Sequence, residues 1–200
     1  MEIIAITGDE NSDGRTKLGI RLIDNLRCNV GILKAVVDDV KDIMVTGERE
    51  IMRAEAPSVS PYLNSSADKI LFMRTPKDKV KEAVTKAIDE FKELDYLIFE
   101  GNKVVQYFSP GLIIHVNEPS KELSDDAEKC RSRADLIVDY YELLNDSNLA
   151  DLRLKVVDDE ISCYRAQLIS DLFGLGYGEF GMKLDREGIQ VRRCQLGLFK

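Results

Sequence analysis

Short apolar runs alternate along the chain with segments in which apolar residues recur every three or four positions. The runs predict buried β-strands, and the periodic segments predict amphipathic α-helices. Because the runs are almost uninterrupted, we expect strands that are covered by helices on both faces, as in a mostly parallel α/β sheet. The six predicted strands cover residues 3–7, 30–34, 69–73, 96–100, 112–116 and 136–138.

The clearest predicted helix covers residues 76–93. Thr75 is placed to cap its start, and Pro76 suits the first helical position, where no backbone N–H is needed. The apolar residues of this segment fall on one stripe, which predicts a face that packs on the core. Two more helices are predicted over residues 16–26 and 124–134.

Two stretches interrupt this alternation. Residues 38–68 show little periodicity and are predicted to be rich in loops, with one helix at about residues 48–56. Near residue 148 a cluster of Asn, Asp and Ser predicts a boundary between an α/β domain (1–148) and a small C-terminal module (149–200). Within that module, the pattern predicts helices over 161–173 and 179–187 and an extended segment over 189–199, a helix-turn-helix-like or winged outline.

The charge of the chain is unevenly distributed. The net charge is −8, and the acidic excess lies in the larger unit, with 28 acidic and 20 basic residues in 1–148 against 8 of each in 149–200. A negative surface repels polyanions unless a local basic site overrides it. We therefore expect no general nucleic-acid binding by the larger unit.

The cysteines and the N-terminus exclude some classes of protein. Cys28, Cys130, Cys163 and Cys194 are far apart and form no CxxC pair, and the chain has one histidine, so no zinc site is expected. No basic flank with a long apolar stretch follows Met1, which predicts a cytoplasmic protein with reduced thiols and no membrane partner.

Residues 8–16, GDENSDGRT, lie between the first predicted strand and a helical pattern. This is the context of a phosphate-binding P-loop, in which backbone N–H groups and a helix N-terminus surround phosphate oxygens and a Ser or Thr hydroxyl binds magnesium. We therefore predict a P-loop NTPase-like domain. The predicted phosphate-contacting residues of the loop are Gly8, Asn11, Ser12, Asp13, Gly14, Arg15 and Thr16.

The loop departs from GxxxxGK[ST] in two ways. Five residues separate Gly8 from Gly14, and Arg15 replaces the lysine. In addition, Asp9, Glu10 and Asp13 place carboxylates where phosphate would bind, which is repulsive unless a divalent cation intervenes. Two interpretations stay open: an altered phosphate site, or a loop that keeps its shape after losing its nucleotide.

Polar residues lie at or near the carboxyl ends of predicted strands, the edge at which open α/β sheets bind ligands, and Thr7, Lys34 and Glu100 share that edge. Lys34 and Glu100 are candidate ligand-binding residues, although Glu100 could equally be a solvated strand end. Asn117 is a candidate for reading a base. His115 is flanked by Ile114 and Val116, and we expect it to be structural rather than catalytic.

A family resemblance is carried by residues 8–16, by residues 30–34 (VGILK) with Asp38 and Asp39, and by residues 95–101 (DYLIFEG). In these residues the chain resembles the molybdopterin-guanine dinucleotide biosynthesis protein B family. The resemblance spans residues 2 to about 138. It implies a GTP-binding P-loop adaptor that assists attachment of the guanine nucleotide to molybdopterin or delivery of the finished cofactor.

The resemblance also implies residue roles. Gly14, Arg15 and Thr16 match the GK[ST] of the P-loop, and Glu100 matches the acidic end of the Walker B strand. Thr16 and Glu100 would then hold Mg²⁺ with GTP, and Glu100 would be the catalytic residue of what is at most a weak GTPase. Lys34 and Asp38 match a family segment that usually also carries a histidine, which this chain lacks there.

The C-terminal module does not have the charge of a DNA reader. Its second predicted helix, residues 179–187, carries two basic and three acidic residues, so DNA binding is disfavoured and protein docking or homodimer formation is preferred. The leading hypothesis is an adaptor of molybdenum-cofactor biosynthesis that binds a guanine nucleotide or molybdopterin species and other cofactor-biosynthesis proteins, with slow or no hydrolysis. The alternative is a degenerate P-loop scaffold or regulator that acts through its C-terminal module.

Overall fold

The computed structural model describes residues 1–9, 13–118, 123–145 and 148–193. Within these ranges the strands are β1 (Glu2–Gly8), β2 (Val30–Val37), β3 (Met44–Thr46), β4 (Lys69–Thr75), β5 (Tyr96–Glu100), β6 (Leu112–Asn117), β7 (Leu136–Asp139), β8 (Leu154–Val156), β9 (Glu160–Ser162) and β10 (Gln190–Arg192). The α-helices are α1 (Gly14–Asn25), α2 (Arg49–Glu55), α3 (Val80–Asp89), α4 (Asp125–Arg131), α5 (Tyr140–Asn145), α6 (Cys163–Phe173) and α7 (Tyr177–Arg186). Short 3-10 helices cover Pro57–Asn64, Lys77–Lys79, Val105–Tyr107 and Leu149–Asp151.

The main sheet has the strand order β3-β4-β2-β5-β1-β6-β7-β8. Its six inner strands are parallel, and only the outer strands β3 and β8 pair antiparallel with their neighbours. Helices flank the sheet, so the predicted mostly parallel α/β architecture is confirmed. Because β1 lies between β5 and β6, the loop after β1 begins at the middle of the carboxyl edge of the sheet.

The six predicted strands all occur and are the six parallel strands of the main sheet, while β9 and β10 form a separate two-stranded parallel sheet. The predicted helix over 76–93 is shorter than expected: Pro76 is extended, a 3-10 turn follows, and α3 begins at Val80. Thr75 does not cap this helix, because its hydroxyl donates to the carbonyl of Pro76 instead. The apolar stripe is nevertheless buried as predicted.

The segment between β2 and β4 contains more structure than its sequence suggested. The predicted helix is α2, but the edge strand β3 and the 3-10 helix Pro57–Asn64 were missed. That 3-10 helix places Tyr62 in the core with no exposed surface, in close contact with Gly19 of α1. A side chain at Gly19 would collide with the Tyr62 ring, so the glycine is what allows this approach.

The C-terminal segment packs on the rest of the molecule. Strand β8 pairs with β7 in the main sheet, and α6 contacts α1. Ile169 and Phe173 of α6 belong to the same buried cluster as Ile4 and Leu22. A separate helix-turn-helix-like domain is therefore not confirmed, because the first of its helices, α6, buries its apolar face against elements from before residue 148. Residues 194–199 of the predicted extended segment lie outside the described ranges.

Within the part of the chain that the structure describes, no helix combines the length and the apolar character that a membrane span requires.

Candidate functional site

The loop after β1 starts where two backbones come unusually close. A Cβ on Gly8 would lie 2.6 Å from the carbonyl oxygen of Val116 in β6, so a larger residue would force the strands apart. The Asn102 side chain holds the same glycine: its Oδ1 accepts from the Gly8 N–H at 3.1 Å, and its Nδ2 donates to the Gly8 carbonyl at 2.7 Å. The predicted loop residues Asn11 and Ser12 lie outside the described residues.

Helix α1 follows the loop, and its N-terminus lies at the carboxyl edge of the sheet, where β1 ends. It begins at Gly14, so Arg15 and Thr16 lie in its first turn. The first-turn N–H groups and the helix dipole favour a negatively charged ligand at such an end. Gly14 does not line the cavity described below, whereas its two successors do.

The Glu100 carboxylate, at the end of β5, is the centre of a buried cluster. Its Oε1 accepts from Lys34 Nζ at 2.6 Å, and its Oε2 accepts from the Thr16 hydroxyl at 3.0 Å. The Tyr62 hydroxyl also donates to Oε2, at 2.8 Å. Arg15 Nε adds a longer ion pair at 3.9 Å from Oε1. The structure thus brings together Thr16, Lys34 and Glu100, three of the candidate residues proposed from the sequence.

The cluster is almost fully shielded from water. Glu100 is 1% exposed, and Thr16, Lys34 and Tyr62 are also buried. Burial, and next the charge of Glu100, raise the pKa of Tyr62 well above its ordinary value, so its hydroxyl stays protonated and donates. A buried carboxylate needs this set of donors, because leaving it unpaired would be strongly unfavourable.

A cavity of about 670 Å³ opens beside the cluster. Its walls carry four basic side chains (Arg15, Lys17, Lys34 and Lys103) and two acidic ones (Asp13 and Glu100). The cavity is therefore locally basic on a protein whose net charge is −8. Gly8 and Asn117 are not among its lining residues.

Two acidic residues of the loop, Asp9 and Asp13, are held by protein groups, whereas Glu10 lies outside the described residues. Asp9 is 3% exposed, and its Oδ2 accepts from the backbone N–H of Glu118 at 3.0 Å. Asp13 pairs with Lys17 at 2.8 Å and accepts from the Tyr140 hydroxyl at 2.8 Å. Partial burial opposes it, but these two hydrogen bonds lower the pKa of Asp13 overall. The repulsion expected from Asp9 and Asp13 is thus partly neutralised within the protein.

Two further candidate residues lie away from the cavity. Asn117 ends β6 and pairs in register with Asp139 of β7, on the far side of β1 from Lys34 and Glu100. His115 is fully buried, and its Nδ1 shares a 3.1 Å hydrogen bond with the Thr7 hydroxyl. Burial, and secondarily the charges of Arg131 and Arg15, lower the pKa of His115 to about 4, so the ring is neutral at pH 7. These features agree with a structural role.

Sequence reasoning missed three residues of this region. Tyr62 comes from a Pro-containing 3-10 segment without periodicity, and nothing local marked it. Asn102 and Lys103 follow Glu100 and Gly101 at a strand end, so their position at the ligand edge was a usable signal.

The magnesium expected on Thr16 and Glu100 does not fit their present arrangement. The Thr16 hydroxyl accepts from Lys34 Nζ at 3.2 Å while donating to Glu100, and the other Glu100 oxygen contacts the same ammonium. The Thr16 hydroxyl and the Glu100 carboxylate, which would bind the cation, therefore already contact the Lys34 ammonium. Among the residues described, no three His, Cys, Asp or Glu side chains are grouped so that they could hold a metal ion.

The strand order, the β1–loop–α1 unit and the acidic end of the neighbouring strand define a P-loop-type α/β protein. No protein-family model matches the chain, and no curated protein matches it. Solved structures that are similar include the MinD cell division protein of Aquifex aeolicus, with 15% identity and a TM-score of 0.39 over 88% of this chain and 79% of that chain.

The MinC:MinD cell division protein complex of the same organism gives 12% identity and a TM-score of 0.39, with 88% of this chain and 78% of that chain covered. A de novo designed protein with a P-loop NTPase fold gives 12% identity and a TM-score of 0.39, with 72% and 88% covered. No ligand or activity of the present chain follows from matches at this level.

Proposed function

We propose that this protein is a nucleotide-binding adaptor that holds the phosphates of GTP, or of a pterin-linked phosphate, in the cavity beside Glu100, with slow or no hydrolysis. The observation that carries the proposal is the locally basic cavity at the N-terminus of α1 in an otherwise acidic protein. Arg15, Lys17 and Lys103 supply the positive charge, and the helix end adds N–H donors.

The bonding of Glu100 supports binding without rapid turnover. A catalytic carboxylate has to orient or deprotonate the attacking water, and for that it needs an accessible oxygen. Both Glu100 oxygens already accept hydrogen bonds from buried donors. Oε1 accepts from Lys34, and Oε2 accepts from Thr16 and Tyr62. We therefore propose at most a weak GTPase.

The proposed setting is molybdenum-cofactor biosynthesis in the cytoplasm. It is supported by the resemblance of residues 8–16, 30–39 and 95–101 to the molybdopterin-guanine dinucleotide biosynthesis protein B family. In this role the protein would present a guanine nucleotide or a molybdopterin species to other cofactor-biosynthesis proteins. Guanine preference is the property that separates this role from general phosphate binding.

The proposal is tested by thermal unfolding with GTP, ATP and pyrophosphate at millimolar concentration. A ligand at 100 times its Kd stabilises the folded state by about 2.7 kcal/mol, which is roughly 5–10 °C for a protein of this size. We expect the largest rise with GTP, and a loss of that rise in Arg15→Gln. Arg53→Gln removes the same charge from an exposed position on α2 and is the matched control.

Equal rises with GTP and ATP would remove the guanine preference and, with it, the proposed pathway. No rise with any of the three compounds would overturn phosphate binding altogether.

A further inference from the structure

We infer that the Lys34 ammonium takes the place of the divalent cation, so that this site binds phosphate groups without magnesium. The identity of the ligand rests on the proposed function, whereas the position of the cation rests on the Lys34 contacts alone. The two statements can therefore fail separately.

The ammonium is surrounded by the oxygens that a P-loop metal would use. Lys34 Nζ lies 2.6 Å from Glu100 Oε1 and 3.2 Å from the Thr16 hydroxyl, the two groups expected to bind Mg²⁺. A third oxygen, the carbonyl of Ser58, lies 3.4 Å away. Distances of about 2.6–3.2 Å suit an ammonium hydrogen bond, whereas Mg²⁺ requires oxygens at about 2.0–2.1 Å.

The hydrogen-bond directions reinforce this assignment. The Thr16 hydroxyl donates its one proton to Glu100 Oε2, so its lone pairs face the Lys34 ammonium. The Tyr62 hydroxyl donates to the same Oε2. The ammonium and the two hydroxyls thus each donate to an oxygen of the protein, and a metal cation placed between Thr16 and Glu100 would be repelled by the ammonium at short range.

The backbone keeps Lys34 in this position. Lys34 of β2 and Glu100 of β5 are directly paired in register on adjacent parallel strands. Their side chains are 9% and 2% exposed, so withdrawal of the lysine would leave a buried carboxylate with only hydroxyl donors and the longer Arg15 contact. The ammonium is therefore a fixed part of the site.

The arrangement also leaves the Lys34 ammonium one contact that a ligand in the cavity can replace. The contact with Ser58 is the longest of the three, and both Lys34 and Ser58 line the cavity. A phosphate oxygen that replaces this carbonyl would accept a hydrogen bond from the ammonium while the bonds to Glu100 and Thr16 persist. Lys34 with Arg15 against Glu100 leaves a net positive charge facing the ligand.

The test measures Mn²⁺ binding by electron paramagnetic resonance, with the whole protein and no nucleotide. Wild type is expected to show no site of submillimolar Kd. Lys34→Met exposes the Thr16 and Glu100 oxygens and is expected to gain Mn²⁺ affinity at least tenfold. Lys69→Met, which breaks the exposed pair of Lys69 with Glu90, is the control and should behave as wild type.

A wild-type Mn²⁺ site that disappears in Thr16→Ala would overturn the inference, and so would a folded Lys34→Met variant with no gain. If Lys34→Met does not fold, the wild-type Mn²⁺ titration decides. GTP affinity provides a second measurement: the Kd should change less than about threefold between EDTA and excess Mg²⁺, and a tenfold loss in EDTA would contradict the inference. Failure of every phosphate compound to bind would overturn the proposed function and leave the Mn²⁺ result standing.

Discussion

The Glu100 carboxylate is held by donors from three elements that are distant along the chain: α1, β2 and the 3-10 helix Pro57–Asn64. Each donor arrives on a side chain that is itself buried, so the cluster links the phosphate-loop helix to the sheet. A residue that the sequence offered as a candidate catalytic residue is therefore also a point at which three elements of the fold meet.

Tyr62→Phe tests the structural part of that cluster. The change removes one hydrogen bond to a buried charged group and leaves the ring in place, so we expect a loss of about 1.5–3 kcal/mol in the free energy of unfolding. Urea denaturation measures it. Tyr107→Phe, at a partly exposed ring, is the control and should lie within about 0.5 kcal/mol of wild type. A loss as small as that of the control would mean that Glu100 does not depend on Tyr62.

His115 gives the protein a predictable dependence on pH. Burial lowers its pKa to about 4 in the folded state, against about 6.5 in the unfolded chain. Between these values the unfolded chain binds a proton that the folded protein does not, so stability is fully present above pH 6.5 and falls as the pH is lowered toward 4. The full loss is roughly 3 kcal/mol.

Urea denaturation between pH 7 and pH 5 measures this slope. His115 is the single histidine of the chain, and carboxylates titrate mainly below that range. We expect His115→Asn to flatten the curve between these pH values. A slope that is unchanged in the variant would show that His115 does not cause it.

At the scale of elements, the sequence predicted well the strands that are marked by an apolar run. The inner strands are covered on both faces, so most of their residues are apolar, and all six were found. The edge strands β3 and β8 have three residues each and lie at the margins of the sheet, so no run marked them. The late start of α3 has a different cause, since Pro76 adopts an extended conformation with ψ 156°.

The residues of the candidate site were also predictable only in part. Lys34 and Glu100 could be found because each ends an apolar run, although β2 continues past Lys34 to Val37, and Thr16 could be found because it follows a glycine loop. Tyr62 could not be found, because its contact with Glu100 depends on the path of an irregular segment across α1. The pairing of Lys34 with Glu100 also required the strand order, which placed β2 beside β5.

Asn102 joins the ends of two elements, and its removal should weaken both. Asn102→Ala takes away the partners of the Gly8 N–H and carbonyl, and we expect a loss of about 1–3 kcal/mol in the free energy of unfolding. Asn64→Ala, at an exposed position of the 3-10 helix, is the control. If the two variants are equally stable, the Asn102 bridge does not hold the start of the loop.

At the scale of the whole molecule, the C-terminal segment completes a core that the rest of the chain leaves open. Helix α6 contributes Leu168, Ile169, Leu172 and Phe173 to the cluster that contains Leu22 of α1, and β8 covers the edge of β7. Asn25 of α1 also donates to the carbonyl of Leu172 at 3.0 Å. A chain cut after residue 148 would therefore expose both an apolar helix face and an unpaired strand.

This makes the division near residue 148 testable. We expect the fragment 1–148 to bind a hydrophobic dye such as ANS and to lose the cooperative thermal transition, while the intact chain unfolds in one transition seen alike by near- and far-ultraviolet circular dichroism. A truncation after residue 193 keeps every described element and is the control. A fragment 1–148 that melts cooperatively within a few degrees of the intact protein would show that the first 148 residues fold independently, as two separate domains would require.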